Sequence, residues 1–578
     1  MGILLGYGCE HGDGCVAPYN RCMTSAHDAI PVETDVAILG GGLAGLTLAL
    51  QLKQSDADVR VTVVERNRHP VPKAAHKVGE STVEIAADYF SNVLGLADHI
   101  ERDQLRKYGL RFFFHAGRHD DLAQAAELGA AHLLTVPSYQ LDRGIFENHL
   151  GERARELGIE FIDGARVAGT ELADDGDAPQ HVQVQRDGET RIIESRWVVD
   201  AMSRASQLRR KLELVEDNGH HCSSVWFRID RRIDIDDWSE DADWQARCSD
   251  LPRWLSTNHL MGSGYWVWLI PLASGSTSVG IVFDNALHDF DSLKTFDGAM
   301  AWLAEHQPRC HRAIREAGGE LQDFRFLRHF SHGSRAVFSG QRWAMTGEAG
   351  VFLDPFYSPG SDFIAISNTY VTDLILREMA GENIARRARL YERCYFSFYE
   401  SSLALYRGQY PLFGHFRAMS AKTVWDYAYY WGVLALLFFA RRLTDMTFFA
   451  HHGDELDRLR RINVEIQAMF RQWAEVETDR EAAGVLVDQS ASPLLVRLNR
   501  ELTEVAGESD EALTRRLRRN ADMLHALALQ LQAIAPAGAR AELGAVEAAR
   551  GTEENLLAGL PRALTECREG AETAVSSG

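Results

Sequence analysis

Positive charge is what this 578-residue chain has least of: 61 Lys and Arg stand against 82 Asp and Glu, a net of −21, with a pI near 5.5. Without surplus cations to neutralise phosphates, nucleic acid is excluded as a partner. The basic runs Arg209-Arg210-Lys211 and Arg515-Arg516-Leu517-Arg518-Arg519 read as solvated faces, docking of an acidic partner protein being the sharper alternative. Cysteine is scattered as well: eight residues and no C-x-x-C pair. Cys9, Cys15 and Cys22 crowd the N-terminus without the two-by-two spacing of a zinc site, and unpaired thiols point to a reducing cytoplasm. No basic segment followed by an apolar run is found at the start, so no signal peptide is expected. The most apolar window, residues 427–440, stops before Arg441-Arg442, short of the ~20 residues that span a bilayer. It reads as a buried helix lining a greasy tunnel. His220-His221 and His451-His452 have no third ligand in range along the chain; they read as loop histidines, and no metal is expected. There is no internal repeat and no low-complexity tract. Hydrophobic content of 46% with 25% charged residues is that of a globular protein of roughly two or three packed units.

What is present begins with a nucleotide-binding unit. Residues 36–39 form a short apolar strand, Gly40-Gly41-Gly42-Leu43-Ala44-Gly45 follows at once, and a helical stretch runs to about Lys53. A second strand, Val61–Val64, ends in Glu65, twenty residues beyond Gly45. This is the strand, glycine loop, helix, strand and acid of a dinucleotide fold. Gly40 permits the tight turn, Gly42 lets backbone approach a pyrophosphate, and Gly45 lets helix meet strand. Helix amides hold the phosphates, and Glu65, with Arg66 beside it, faces the ribose. No second fingerprint follows. Gly262-Ser263-Gly264 leads into a strand, so it cannot serve a nicotinamide dinucleotide as such a loop would.

The spacing predicts a further parallel strand at residues 197–200, a strand at 110–114 and a helix at 143–157. The expected architecture is α/β: a Rossmann-like domain, a β-rich substrate domain and a helical C-terminal region. Boundaries follow composition: an N-terminal extension over 1–32, the nucleotide domain over 33–221, the β-rich unit over 222–325, a return segment over 326–377 and the helical region over 378–578.

The motifs then take on a family character. Residues 139–146, Tyr-Gln-Leu-Asp-Arg-Gly-Ile-Phe, resemble the segment of FAD-dependent monooxygenases and halogenases whose arginine, here Arg143, contacts the cofactor. The stretch from Val199-Asp200 to Ser203-Arg204 is similar to their next signature, with Ser203 where Gly is usual. Gly347-Glu348-Ala349-Gly350 through Asp354-Pro355 resembles the third, with Glu348 where Asp is usual. Trp266-Val267-Trp268-Leu269-Ile270-Pro271 matches the W-x-W-x-I-P of flavin-dependent halogenases, and Val78-Gly79-Glu80-Ser81-Thr82 their loop over the flavin. Period-2 spacing puts both indoles on one face of a strand, where they wall the flavin; a strand whose indoles only fill core volume is the other reading.

The resemblance implies that the Rossmann-like domain is of the glutathione-reductase/monooxygenase type and binds FAD, reduced in turnover by a separate reductase, with chloride or bromide as co-substrate. In that family reduced flavin, oxygen and halide yield hypohalous acid, an unselective oxidant. The essential lysine enters a strand in the pattern K-x-G-apolar-x-F, which Lys107 fits; its ammonium hydrogen-bonds the acid, or forms a haloamine, and presents electrophilic halogen. Lys77 is the competing lysine. Tyr357, Ser358, Pro359, Gly360 and Ser361 match the halide and substrate loop. Tryptophan halogenases carry a catalytic Glu at the position of Tyr357, so an electron-rich phenol, pyrrole or carrier-bound aryl substrate is implied instead. Ser361-Asp362-Phe363 departs from the familiar pattern. The alternative is an FAD-dependent monooxygenase or dehydrogenase without halide chemistry; a third class, a flavoprotein subunit that binds FAD only for stability, needs neither Lys107 nor W-x-W-x-I-P.

Overall fold

The computed structural model of the protein describes residues 32–115, 121–173, 178–477, 484–543 and 554–561. The expected N-terminal extension, Val32 apart, and the Gly/Ser tail lie outside the described residues.

The unbroken apolar run Val36-Ala37-Ile38-Leu39 is fully buried, as a strand covered on both faces must be. It ends the strand Val32–Leu39 at the middle of a seven-stranded sheet. Val61–Val64 and then Glu160–Ile162 lie on one side of it, Glu189–Asp200 on the other, all parallel. Trp343–Met345 pairs in parallel with the end of Glu189–Asp200, whose long first half turns antiparallel to Gln180–Arg186. In this register Leu39 lies level with Val64 and Asp200, and Asp200 with Met345. The loops leaving these strands therefore open along one edge, where an open α/β sheet binds its ligand. The helices Leu43–Ser55 and Arg143–Glu156 pack together beside the sheet.

A second sheet of eight strands runs in the order Leu321–Leu327, Cys222–Ile229, Thr277–Asp284, Tyr265–Pro271, Thr257–Gly262, Leu110–Phe114, Ala126–Gly129 and Leu486–Asp488. Three of its strands come from outside residues 222–325. Its pleat separates two cores. Trp266, Trp268 and Ile270 join the large core shared with the nucleotide unit, whereas Tyr265, Val267 and Leu269 join a smaller one with Trp244 and Trp302. Phe112 and Phe114 divide from Phe113 in the same way, as period-2 alternation requires.

From Gly360 the chain is largely helical. Gly360–Met379, Ala385–Leu403, Phe416–Tyr429, Met446–Val476, Pro493–Glu501 and Asp510–Ile534 share the large core, in which Trp425 and Trp473 are fully buried. The apolar window at 427–440 is not one uniform helix: after Tyr429 comes a π-helical turn, Tyr430–Ala435, then Leu436–Phe439. No helix of the described residues is long and apolar enough to cross a membrane.

Candidate active site

The nucleotide end is built by close backbone approach. Gly40 has φ +107°, and a Cβ there would lie 2.6 Å from the carbonyl oxygen of Ala201. At Gly45 a Cβ would stand 1.9 Å from the carbonyl oxygen of Gly40, so only glycine lets this helix rest on this strand. Gly42 is the N-cap of Leu43–Ser55, with no side-chain cap and no acidic residue in the first turn. Those unfilled amides and the positive helix end suit a diphosphate. Glu65 reaches back over the loop, Oε2 accepting from the Gly41 amide (2.8 Å) and Oε1 from Asn67, while Arg66 is exposed. The Asp200 carboxylate holds its own turn, accepting from the Met202 and Leu208 amides and from Ser206 Oγ. Gly347, at φ +58°, meets the glycine-loop helix at Ala44. The two departures from the flavin signatures touch each other. Ser203 adopts φ +54°, a conformation that explains the usual glycine, and its hydroxyl donates to Glu348 Oε2 at 2.7 Å. The residues at this edge thus fit FAD.

A loop closes over the same edge. Arg143 Nη1 donates to the Val78 carbonyl at 2.8 Å and Nη2 pairs with Glu147. Glu147 also holds His76 (2.8 Å) and Lys77 (3.1 Å). Burial alone would raise the Glu147 carboxyl, but Lys77, Arg143 and His76 outweigh it and hold it well below the usual range. The Lys77 ammonium stands 2.7 Å from where a Gly42 Cβ would be, so a cation already overlooks the phosphate seat. Gly79, exposed at φ +94°, makes the bend. Glu80 turns inward to an ion pair with Arg228 of the second sheet (2.6 Å), and Asp323 holds the other end of that guanidinium. The loop is thereby pinned between both sheets.

Beyond this loop lies a cavity of about 1040 Å³, mostly apolar, whose wall includes Lys107. Lys107 ends the strand Leu105–Lys107 and is 3% exposed; its ammonium donates to Ser81 Oγ (2.9 Å) and the Thr82 carbonyl (2.6 Å). Burial pulls its pKa down to about 7 against the opposing carboxylates Glu84 and Asp362. The same burial pushes Glu84 up, and Asp362 up to about 7. Lys77, a third exposed at its side chain, lies on the nucleotide side instead.

Tyr357 and Ser358 hold left-handed backbone, φ +66° and +60°, a strain of about 1–3 kcal/mol each that gathers at functional sites. This conformation aims the buried Tyr357 into the cavity, with its hydroxyl 3.3 Å from Thr423 Oγ1. Pro359 and Gly360 begin the helix Gly360–Met379, and Ser361 is buried beside them. A second cavity of about 280 Å³ joins Gly347 and Glu348 to Pro359 and Gly360; Pro359 and Phe363 face both cavities. The segment from Asp354 to Phe363 is thus the partition between the flavin-binding edge and the large cavity.

The two tryptophans support this partition from behind and do not line the large cavity. Trp266 packs on Phe356 with ring centroids 5.3 Å apart and on Trp268 at 5.7 Å. Its indole N–H donates to the Tyr410 hydroxyl (3.1 Å), which donates to Asp354 (2.7 Å). Asp354, before Pro355, also accepts from the Phe356 amide and meets His220 Nε2 at 2.6 Å. His220 lies in a loop as expected, but the reading that its pair has no partner group in range is corrected. His220 is buried, and its ring, Cys222 Sγ and Asp354 lie within 4.8 Å of one another; the 2.6 Å contact is a direct hydrogen bond. The partner Asp354 is 134 residues away in sequence, beyond any local pattern. His451 and His452, in contrast, are not in a loop but in the helix Met446–Val476. Of the basic runs, Arg516 and Arg519 are engaged with Glu501, and Arg209 is buried on the Gly350 carbonyl.

Sequence reasoning missed Glu84 and Glu147, whereas Tyr430 and Trp431 belong to the window 427–440 expected to line a tunnel, and they do face the cavity. The i, i+4 spacing of Arg143 and Glu147 was a usable signal; the approach of Glu84 to Lys107 had none.

Fold and edge together define an FAD-binding flavoprotein, and a family model described as "FAD binding domain" matches residues 33–263. Over somewhat less than two thirds of its length the chain is similar to flavin-dependent halogenases. It is 27% identical over 390 residues to flavin-dependent halogenase chlA of Dictyostelium discoideum, covering 62% of this chain and 63% of that one. To the 1H-pyrrole-2-carbonyl peptidyl-carrier-protein chlorinase of Pseudomonas fluorescens it is 25% identical, covering 57% and 72%. Among solved structures, halogenase PltM shares the fold with a TM-score of 0.60 at 18% identity, over 84% of this chain and 96% of that one.

Proposed function

We propose that this chain is an FAD-dependent halogenase that acts on an electron-rich arene, a phenol or pyrrole, free or carried on an acyl or peptidyl carrier protein. The observation that carries the reading is Lys107, a buried amine in the wall of an apolar cavity that only the Asp354–Phe363 partition separates from the flavin-binding edge. Reduced FAD, when bound, supplies the electrons with which oxygen and halide give hypohalous acid; a separate cytoplasmic reductase would reload it.

The residues do the rest. The Gly40–Gly45 loop and the amides of Leu43–Ser55 bind the diphosphate, Glu65 orients the ribose end, and Val78, Gly79 and Arg143 cover the site. Pro359, Gly360 and Ser361 offer the halide a seat at a helix N-terminus. Trp266, Trp268 and Phe356 fill the space behind the partition and exclude water. Lys107 receives the hypohalous acid by hydrogen bonding and holds its halogen toward the cavity. Its lowered pKa leaves ammonium and amine both populated near neutrality.

Mass spectrometry of phenols, pyrroles and free tryptophan incubated with FAD, a flavin reductase and either halide tests the reading. Halide-dependent, halogenated phenol or pyrrole is expected; hydroxylated product formed without halide overturns it. Tyr357 is expected to be dispensable as a base, because burial holds its hydroxyl well above its ordinary pKa and so protonated. Tyr357→Phe should retain activity on a phenol within about tenfold, about 1.4 kcal/mol of barrier. A loss of three orders of magnitude, with FAD binding intact, would assign the phenol a chemical role.

A further inference from the structure

The cavity wall that holds Lys107 carries a second reactive group. Asp362 sits in the first turn of Gly360–Met379, five residues past Tyr357, with a side chain 2% exposed that faces the cavity. Two donors fix its carboxylate: the Ala86 amide on Oδ1 (2.9 Å) and the Tyr430 hydroxyl on Oδ2 (2.6 Å). Tyr430 opens the π-helical turn Tyr430–Ala435, a rare geometry that concentrates at functional sites, and Tyr430, Trp431 and Leu434 all face the same cavity. Each carboxylate oxygen keeps a lone pair beyond these two bonds. The carboxylate is therefore fixed, desolvated and able to accept a proton.

Resting on the halogenase reading above, we propose that Asp362 is the base that removes the ring proton during halogenation. In the step, a π pair of the arene forms the carbon–halogen bond while the halogen–oxygen bond of hypohalous acid breaks. The departing hydroxide takes a proton from the Lys107 ammonium and leaves as water. The C–H pair returns to the ring, restoring aromaticity, and the ring proton passes to the Asp362 carboxylate. Transfer of that proton from Asp362 to neutral Lys107 restores the starting charges, so the sum is arene plus hypohalous acid giving haloarene plus water.

Burial brings Asp362 and Lys107 each to about 7, so the two groups on the cavity wall match in proton affinity near neutral pH. The groups that face Asp362 are Tyr430, Glu84, Lys107 and the buried phenol of Tyr406. Glu84 also faces Lys107 and is raised by burial. Asp362, in the first turn of the helix that follows Tyr357, can take a proton that a phenol with a raised pKa cannot.

The test uses the full-length FAD-loaded protein with bromide, resorcinol and ring-deuterated resorcinol, and traps hypohalous acid in parallel with monochlorodimedone. Wild type should brominate both forms of resorcinol at one rate. Asp362→Asn should still yield trapped hypohalous acid but brominate resorcinol about a hundred- to ten-thousand-fold more slowly. It should gain a primary deuterium isotope effect and lose the acidic limb of the kcat against pH profile; Asp362→Glu should restore part of the rate. A wild-type rate without an isotope effect in Asp362→Asn overturns the assignment, as does a parallel fall in trapped hypohalous acid, which marks a structural role. Wild type that forms hypohalous acid but leaves resorcinol untouched overturns it for phenolic rings. Wild type that forms none overturns the halogenase reading itself, and this inference with it.

Discussion

Lys107→Met is expected to yield a protein that binds FAD and consumes oxygen in the presence of reductase but makes almost no halogenated product. The expected loss is at least about a thousandfold, roughly 4 kcal/mol of barrier, the scale of removing one positioned charge from a water-poor site. Methionine nearly matches the lysine stem in volume, so the cavity wall stays filled and the change isolates the nitrogen. What the substitution deletes is the donor to Ser81 Oγ and the Thr82 carbonyl and, among the described residues, the only lysine of the cavity wall. The carboxylates Glu84 and Asp362 then face each other without that cation and shift further toward their protonated forms. Single-turnover flavin reoxidation and product mass spectrometry read the two halves separately. Halogenated product at the wild-type rate would move the halogen-carrying role elsewhere, with Lys77 next in line.

Gly42→Val is expected to keep the fold and lose the cofactor. A Cβ at Gly42 meets only the tip of Lys77, 2.7 Å away, with the Glu147 oxygens next at 3.9 Å; a lysine tip can swing aside. The added methyls instead fill the approach of a diphosphate to the helix amides. FAD affinity should fall at least about a hundredfold, about 2.7 kcal/mol, by fluorescence titration, with Tm near that of the FAD-free wild type. Gly45→Val should behave in the opposite sense. There a Cβ strikes the backbone oxygen of Gly40 at 1.9 Å, and nothing flexible can yield. The helix must leave the strand, at a cost of about 3 kcal/mol or more, visible as a lower Tm even without cofactor. If Gly42→Val binds FAD as wild type does, the assignment of this loop is wrong whatever the stability of Gly45→Val.

The contrast between these glycines shows how far the sequence reaches. The fingerprint loop, the strand Val61–Val64 and the strand Leu110–Phe114 were readable because their signals are local: apolar runs, a glycine sequence and a period that the backbone fixes within a few residues. The two faces of Tyr265–Pro271 were readable for the same reason, since alternation is a property of any strand. Which wall those faces meet was not. Trp266 was expected beside the flavin; it stands behind Phe356, joined through Tyr410 to Asp354 and His220.

Lys107 could be named from its pattern, but the pattern says nothing of the cavity around it. That cavity is closed by contacts such as Ala86 to Asp362 and Ile85 to Tyr430, 276 and 345 residues apart in sequence. The second sheet likewise takes Leu110–Phe114, Ala126–Gly129 and Leu486–Asp488 from far outside the β-rich stretch, because strand pairing depends on which edges packing brings together and not on proximity along the chain. The sequence by itself determined the cofactor-binding unit, the halogenase-like motifs and the alternation of the tryptophan strand, all set by backbone periodicity and glycine sterics. Only the tertiary structure decided that Lys107, Glu84 and Asp362 share one desolvated space, since burial, and with it the shift of all three toward neutrality, is made by distant segments packing together.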